Sequence, residues 1–291
     1  MNEQKIIVVF CHSRAKLLKM CLTSICKASG FSEWKLIVVH QKGYSDVEKV
    51  LKKFKNQINT LVSVEPCFDF ALGNINYNRI LGTKTAFEVF GADYVLGVEE
   101  DNLISEDALK FIEFSFKEYK KCASFRGVNL GSVEYGKSVT RGGYSLLRFG
   151  LHGSAGVLTK KTWISIKNKK LFEFDLRNPN FAWDAQIEFF LKTGFMVTPN
   201  LSRNLDLGHG GTFAPSSSTD PYFKSIKKSF STGSRKSMIE YKKTQIMHRW
   251  RSDAVEFKKI HSILYFLRLN KFIARLSSYV NLTNLVKRFF L

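Results

Sequence analysis

The sequence predicts an α/β protein with a mainly parallel sheet flanked by helices. Two patterns carry this reading. Short apolar runs alternate with helical spacings through the first 120 or so residues, as βα units do. Polar residues then gather where the apolar runs stop, and open α/β sheets bind ligands at the carboxyl ends of their strands. Composition agrees: 44% of 291 residues are apolar, ample for a folded core, and the length suits one large domain or one domain with an appendage.

Residues 6–10 read as the first strand. Leu17, Leu18, Cys21, Leu22 and Ile25 follow at helical spacing. Residues 36–39 form a second strand, 47–54 a helix, 61–64 a third strand and 80–90 a helix leading to a strand at 94–98. A helix is expected over 106–119. Glycines at 142–143 and 150–156 break the middle of the chain into turns, and regular structure resumes over 157–166. Trp183-Asp184 opens an amphipathic helix carrying Ile187, Phe189, Phe190 and Leu191, and a short strand follows at 195–197. Residues 208–211 and 216–219 begin a Gly- and Ser-rich stretch that continues to about 236 and has the composition of a lid. No internal repeat is present.

The strand at 94–98 runs straight into Glu99-Glu100-Asp101. Three like charges at a strand end are costly unless a cation, a polar ligand or open solvent receives them. Carboxylates so placed suit a hard cation that keeps room for phosphate oxygens, Mg2+ or Mn2+. The alternative is a solvated acidic turn, with Ser105 as N-cap and Glu106 and Asp107 in the first helical turn. Cys11–Arg14 and His40-Gln41 fall at two further strand ends. Three strand ends converging on polar residues favour a ligand site.

Charge divides the chain. Residues 221–291 hold 16 Lys and Arg against three acids (Glu240, Asp253, Glu256), a balance of +13, while the first 220 carry +7 of the net +20. From 255 onward, Ile260, Ile263, Leu264, Leu267, Leu269, Ile273, Leu276 and Val280 recur at helical steps, with Lys and Arg between them. This reads as a basic amphipathic helix that either packs on the domain or meets an anionic membrane surface. Nucleic acid is not expected, because the apolar face is bulky and aliphatic and no nucleic-acid module is recognisable. No run approaches the roughly 18 apolar residues of a spanning helix, and no N-terminal signal pattern is seen. Five scattered cysteines, odd in number and without CxxC spacing, read as reduced thiols. The expected location is cytoplasmic, peripheral on the inner face of the cell membrane.

Taken in order, Phe10-Cys11-His12-Ser13-Arg14, Leu18…Cys21-Leu22…Ile25, Asn78-Arg79, Gly91-Ala92-Asp93 and Glu99-Glu100-Asp101 resemble the nucleotide-sugar glycosyltransferases of the GT-A fold. Gly153-Ser154-Ala155-Gly156, Trp183-Asp184, Ser202-Arg203 and Gly208-His209-Gly210-Gly211 extend the likeness. It is nearest to the N-acetylglucosaminyltransferase I family and spans roughly residues 5–215. The resemblance implies a Rossmann-like catalytic domain over 1–215, with a nucleotide-sugar half to about 105 and an acceptor half from about 106. A lid and linker over 216–254 and the basic tail over 255–291 lie beyond it.

What the resemblance implies for the site follows residue by residue. Asp101 would ligate Mn2+ or Mg2+ on the donor diphosphate, with His209 as a second candidate ligand. Glu100, standing where the family has Asp, would face the ribose, and Glu99 the transferred sugar. Cys11, Arg14, Gln41, Asn78, Arg79 and Trp183 would line the donor; the family has a histidine where Asn78 stands and an acidic residue where Lys42 stands. Asp184 would be the base that deprotonates the acceptor hydroxyl, kept ionised by a helix N-terminus. The implied reaction is metal-dependent, inverting transfer of a sugar, first guess GlcNAc, from a UDP-sugar to a glycan or lipid-linked glycan acceptor. Two other classes remain open on the residues. One is a sugar-nucleotide nucleotidyltransferase, although residues 11–14 contain no glycine for a phosphate loop. The other is a basic nucleic-acid-binding protein, which explains the charge but not the carboxylates.

Overall fold

The computed structural model describes residues 3–132, 143–147, 155–168 and 194–208, together with Phe230 and the backbone of Lys243–Met247. Eleven strands and five α-helices fall within them. The first half builds β1 (Lys5–Cys11), α1 (Ala15–Lys27), β2 (Lys35–Gln41), α2 (Ser45–Lys53), β3 (Thr60–Val64), α3 (Ala71–Lys84) and β4 (Tyr94–Glu99). Then come β5 (Asn102–Ile104), α4 (Ala108–Tyr119), β6 (Phe125–Asn129), β7 (Tyr144–Leu147), β8 (Ala155–Thr159) and α5 (Lys160–Asn168). Last are β9 (Phe195–Pro199), β10 (Asn204–Asp206) and β11 (Lys243–Met247).

Nine strands form one sheet in the order β11-β7-β9-β6-β8-β4-β1-β2-β3. The block β3-β2-β1-β4 is parallel throughout. β8 is inserted antiparallel between β4 and β6, β9 runs parallel to β6, and β7 opposes β9 with β11 parallel to it. Strands buried on both faces need continuous apolar runs, which is what β1 and β2 supply with Ile6–Val9 and Leu36–Val39 at most 1% exposed. The sheet is therefore mostly parallel and helix-covered, as expected.

The pleat sends alternate residues to two cores. Ile7, Val9, Leu36, Val38, Leu96 and Val98 pack under α1, α2 and α4. Ile6, Val8, Phe10, Ile37, Val39 and Val95 face the side of α3 and α5. α1 meets the first core through Leu18, Cys21, Leu22 and Ile25, one i, i+3, i+4, i+7 stripe. α2 does so through Val47 and Leu51, with acids in its first turn and lysines in its last to suit the helix dipole.

Two elements differ from expectation. α3 begins at Ala71, nine residues before the anticipated Ile80, and continues as a π-helical turn over Thr85–Val89. Its buried residues are Gly73, Asn76, Asn78, Arg79, Gly82 and Thr83, so no apolar period marks it. Gly82 lets the helix lie directly on the sheet: a Cβ there would come within 2.7 Å of Val39 and 2.8 Å of Val8. The second difference follows the acidic triplet. Ser105 does not cap the next helix. Residues 102–104 instead form β5, which pairs antiparallel with β10 in a separate two-stranded sheet, and Asp107 takes the N-cap position of α4. Ser105 Oγ donates to Asp107 Oδ1 at 2.6 Å, and Arg203 Nε to Asp107 Oδ2 at 3.0 Å. Within the expected lid and linker, Lys243–Met247 instead form β11 at the edge of the main sheet; the rest of that segment apart from Phe230, the Trp183-Asp184 helix and the basic tail lie outside the described residues. No helix among the described residues is long and apolar enough to cross a membrane, and all five cysteines are free thiols.

Candidate functional site

The parallel register sets β1, β2 and β4 level at their carboxyl ends: Phe10 stands opposite Glu99 and Cys11 opposite His40. The chain turns off both central strands at this edge, and the Glu100 N–H donates to the Phe10 carbonyl at 3.0 Å. Glu99, Glu100 and Asp101 are thereby sent in different directions.

Glu99 leaves β4 on the α3 side, where its carboxylate pairs with Arg79. Arg79 is buried, with its guanidinium 4.5 Å above the Phe10 ring. The glycine within β4 makes this possible, because a Cβ at Gly97 would lie 3.3 Å from Arg79 Nη1. Glu99 itself stays 31% exposed at the side-chain level, so one face of the pair is open to a ligand.

Glu100 and Asp101 turn the other way, toward the β1–α1 junction. Arg14, the N-cap residue of α1, reaches back to both: Nε lies 2.9 Å from Glu100 Oε1 and Nη1 2.7 Å from Asp101 Oδ2. The second oxygen of Asp101 accepts from Asn102 Nδ2 at 2.7 Å, which fixes the carboxylate plane. Burial pushes the Glu100 carboxyl up to about 7; Arg14 opposes this, and Asp101 and Glu99 add to it. Burial also works against the Arg14 charge, but its two carboxylates outweigh that and its pKa is raised.

A fourth carboxylate completes the cluster, and reading the sequence did not find it. β10 pairs with β5 so that Asp206 stands across from Asn102, and the Leu207 N–H donates to the Asp101 carbonyl at 2.8 Å. Asp206 accepts the Gly208 N–H at 2.7 Å. Burial, followed by repulsion from Asp101, raises its carboxyl to about 6. Both aspartates converge on Gly208: a Cβ there would sit 2.4 Å from Asp101 Oδ2 and 2.9 Å from Asp206 Oδ1. Only glycine keeps that cradle open. The platform behind it is polar and buried, with Asn204 Nδ2 donating to Asn102 Oδ1 at 2.8 Å and the Ser105 N–H to the Arg203 carbonyl at 3.0 Å. Ser202-Arg203, matched in the sequence as a motif, has a local role here: Arg203 is held by Asp107 and stacks on Phe111.

Of the anticipated site residues, Arg14, Arg79, Glu99, Glu100 and Asp101 are brought together. Gln41 ends β2 on the α3 side of the sheet, buried and with no hydrogen-bond partner for Oε1 among the described residues, and Asn78 is buried on α3. Cys11 lies beneath the cluster instead of lining it. Its side chain packs in the α1 core, and burial and then Glu100 raise its thiol well above the usual range. His12 is bonded to Tyr44 and His40 to Ser63, both with pKa values lowered, chiefly by burial. Trp183, Asp184 and His209 lie outside the described residues.

No protein-family model matches the chain, and no curated protein matches its sequence. Among solved structures it is similar to S. aureus TarS. Against TarS 1-349 in complex with UDP the TM-score is 0.44 at 13% identity, covering 67% of this chain and 57% of that one. The 1-349 complex with UDP-GlcNAc gives 0.44 at 11% identity, covering 67% and 56%. The longer TarS structure gives 0.44 at 12%, covering 67% and 35%. The chain thus spans about half the length of the TarS 1-349 structures.

Proposed function

We propose that this chain is a metal-dependent glycosyltransferase that takes a sugar from a nucleoside-diphosphate donor at the carboxyl edge of β1 and β4. The observation that carries the reading is the convergence of Asp101 and Asp206 on Gly208, with Arg14 alongside. Buried carboxylates crowded together are costly in a resting fold and useful when a cation binds.

A divalent cation fits this donor set. Mg2+ and Mn2+ take hard oxygen ligands, and Mg2+ sites often combine one or two carboxylates with substrate phosphates. Among the described residues no group of three or more His, Cys, Asp and Glu could hold a metal unaided, so the proposed site needs phosphate oxygens as further ligands. Asp101 and Asp206 would hold the ion, and His209 directly follows the cradle glycine in sequence. When bound, such an ion stabilises the negative charge that develops on a diphosphate leaving group, worth several kcal/mol.

The chain's own residues supply the rest. Arg14 adds a permanent positive charge near where phosphates would lie, and the N-terminus of α1 adds to it. Glu99, steadied by Arg79, offers an acceptor oxygen to sugar hydroxyls. Gln41 and Asn78 lie toward β2 and α3, where the nucleoside would extend. Asp184 is the proposed base for the acceptor hydroxyl, and direct displacement would invert the anomeric centre. A UDP-sugar, with GlcNAc as first guess, is the donor class implied by the sequence resemblance. The acceptor would be a glycan or lipid-linked glycan at an anionic membrane surface engaged by the basic tail, on its cytoplasmic side.

Donor hydrolysis tests this reading. The protein is incubated with UDP-, GDP-, CDP- and dTDP-sugars, with Mn2+ or with chelator, and release of the nucleoside diphosphate is followed. Metal-dependent release from one donor class is expected. Release of inorganic pyrophosphate from a nucleoside triphosphate and sugar phosphate would indicate nucleotidyl transfer instead.

A further inference from the structure

The two arginines that serve the acidic triplet are held very differently. Arg79 is 1% exposed at the side-chain level and wedged between Phe10 and β4, so its pairing with Glu99 is part of the fold. Arg14 is 40% exposed, while the carboxylates it joins, Glu100 and Asp101, are 6% and 9% exposed. The partner with solvent to move into is therefore the arginine. Asp101 cannot follow it, because Asn102 holds Oδ1 and Leu207 holds the backbone carbonyl.

The oxygen that Arg14 occupies is the oxygen that borders the cradle. Arg14 Nη1 is 2.7 Å from Asp101 Oδ2, and it is Oδ2 that a Cβ on Gly208 would strike. A divalent cation beside Gly208 must compete with Arg14 for it. A guanidinium that leaves a carboxylate needs another anion, and its planar fork matches phosphate as well as carboxylate.

We propose that Arg14 is an exchangeable internal cation: it holds Asp101 in the nucleotide-free protein and moves to the diphosphate when a divalent cation replaces it on Asp101 Oδ2. This rests on the reading of Asp101 as a cation ligand. Its consequence is thermodynamic. Metal alone must evict Arg14 into water, whereas metal with diphosphate gives Arg14 a new partner, so each ligand strengthens the other by the same factor. An arginine that merely repelled the metal would weaken both binding events alike.

Calorimetric titration of Mn2+, with and without saturating UDP and corrected for Mn2+–UDP association in solution, separates these cases. In the wild type, UDP should tighten Mn2+ binding by about tenfold or more, within the usual range of coupling between sites. In Arg14→Gln, Mn2+ alone should bind about threefold tighter, Mn2+ with UDP about threefold weaker, and the coupling should fall about tenfold, keeping only what phosphate oxygens on the cation supply. If Arg14→Gln binds both more tightly, or leaves Mn2+ alone unchanged or weaker, the exchange is wrong. Arg14→Lys keeps the charge without the fork and should fall between wild type and Gln; it replaces Gln if thermal melting shows that Gln does not fold. Asp101→Asn separates the two layers. Full Mn2+ binding in that variant removes the cation reading and the exchange with it, whereas its loss there, with Arg14→Gln like wild type, removes the exchange alone.

Discussion

Asp206 stands directly across from Asn102 in the β5–β10 ladder, and this pairing alone carries a carboxylate from the far end of the described fold to the side of Asp101. The two acids are more than 100 residues apart in sequence and share one cradle glycine. Their repulsion has a measurable cost in the ligand-free protein.

Asp206 goes from an ordinary carboxyl pKa of 3.8 to about 6, and Glu100 from 4.5 to about 7. Each is raised in the fold, so the folded state binds protons more tightly than the unfolded one. The stability each contributes is present below its unfolded pKa and is lost as pH rises through its folded pKa, on the order of 3 kcal/mol for each group. Asp206→Asn keeps an acceptor for the Gly208 N–H and removes the titration. Its stability relative to wild type, from urea unfolding without metal, should climb between about pH 4 and pH 6 and then level off. A difference that does not vary with pH would mean Asp206 ionises normally in the fold.

The Arg203–Asp107 pair predicts the opposite behaviour, a loss at neutral pH. Both groups are buried, and Arg203→Met leaves Asp107 as an uncompensated interior charge. The expected cost is about 3–5 kcal/mol, and replacing Asp107 by Leu in the same chain should recover a large part of it. Denaturant midpoints of the two variants check this.

How legible the molecule is from sequence depends on what each residue is buried against. α1 is plain because its stripe meets an apolar sheet, and β1 and β2 because both faces are covered. The first half of α3 is invisible because Asn76, Asn78 and Arg79 are buried near the site rather than in an apolar core. Glu99, Glu100, Asp101 and Arg14 were readable as charges stranded at strand ends. Asp206 was not, since β5 and β10 are three residues each, too short to show a period of two. The cap of α4 was misplaced for a related reason. Ser105 and Asp107 both suit an N-cap, and only the tertiary pairing with Arg203 selects between the arrangements.

Gly208 can be tested without touching a charge. Gly208→Ala places a methyl against Asp101 Oδ2 and Asp206 Oδ1. Mn2+-dependent donor turnover should drop by at least tenfold, and the metal-free protein should keep its fold but lose about 1–3 kcal/mol, because the held Asp101 carboxylate must shift to admit the methyl. Turnover equal to wild type would mean the cradle is not where the cation binds.

Asp184→Asn is nearly isosteric but cannot take a proton. Turnover should fall on the order of 10²–10⁴-fold with donor binding largely kept. Near-normal kcat would reduce Asp184 to a helix cap.

The basic tail predicts a salt-sensitive attachment. Removing residues 255–291 should release the protein from anionic vesicles in co-sedimentation, and high salt should weaken binding of the full chain without abolishing it, because apolar insertion is not screened. A full-length chain that ignores such vesicles would place the tail's apolar stripe elsewhere.

The central claim is that the carboxylates after β4 receive a nucleoside diphosphate through a divalent cation. The most direct test is calorimetric binding of UDP in the presence of Mn2+ by the wild type and by Asp101→Ala, with circular dichroism to confirm the fold. Mn2+ should strengthen UDP binding by the wild type and have no effect on the variant. Equal Mn2+-enhanced UDP affinity in the two proteins would contradict the account.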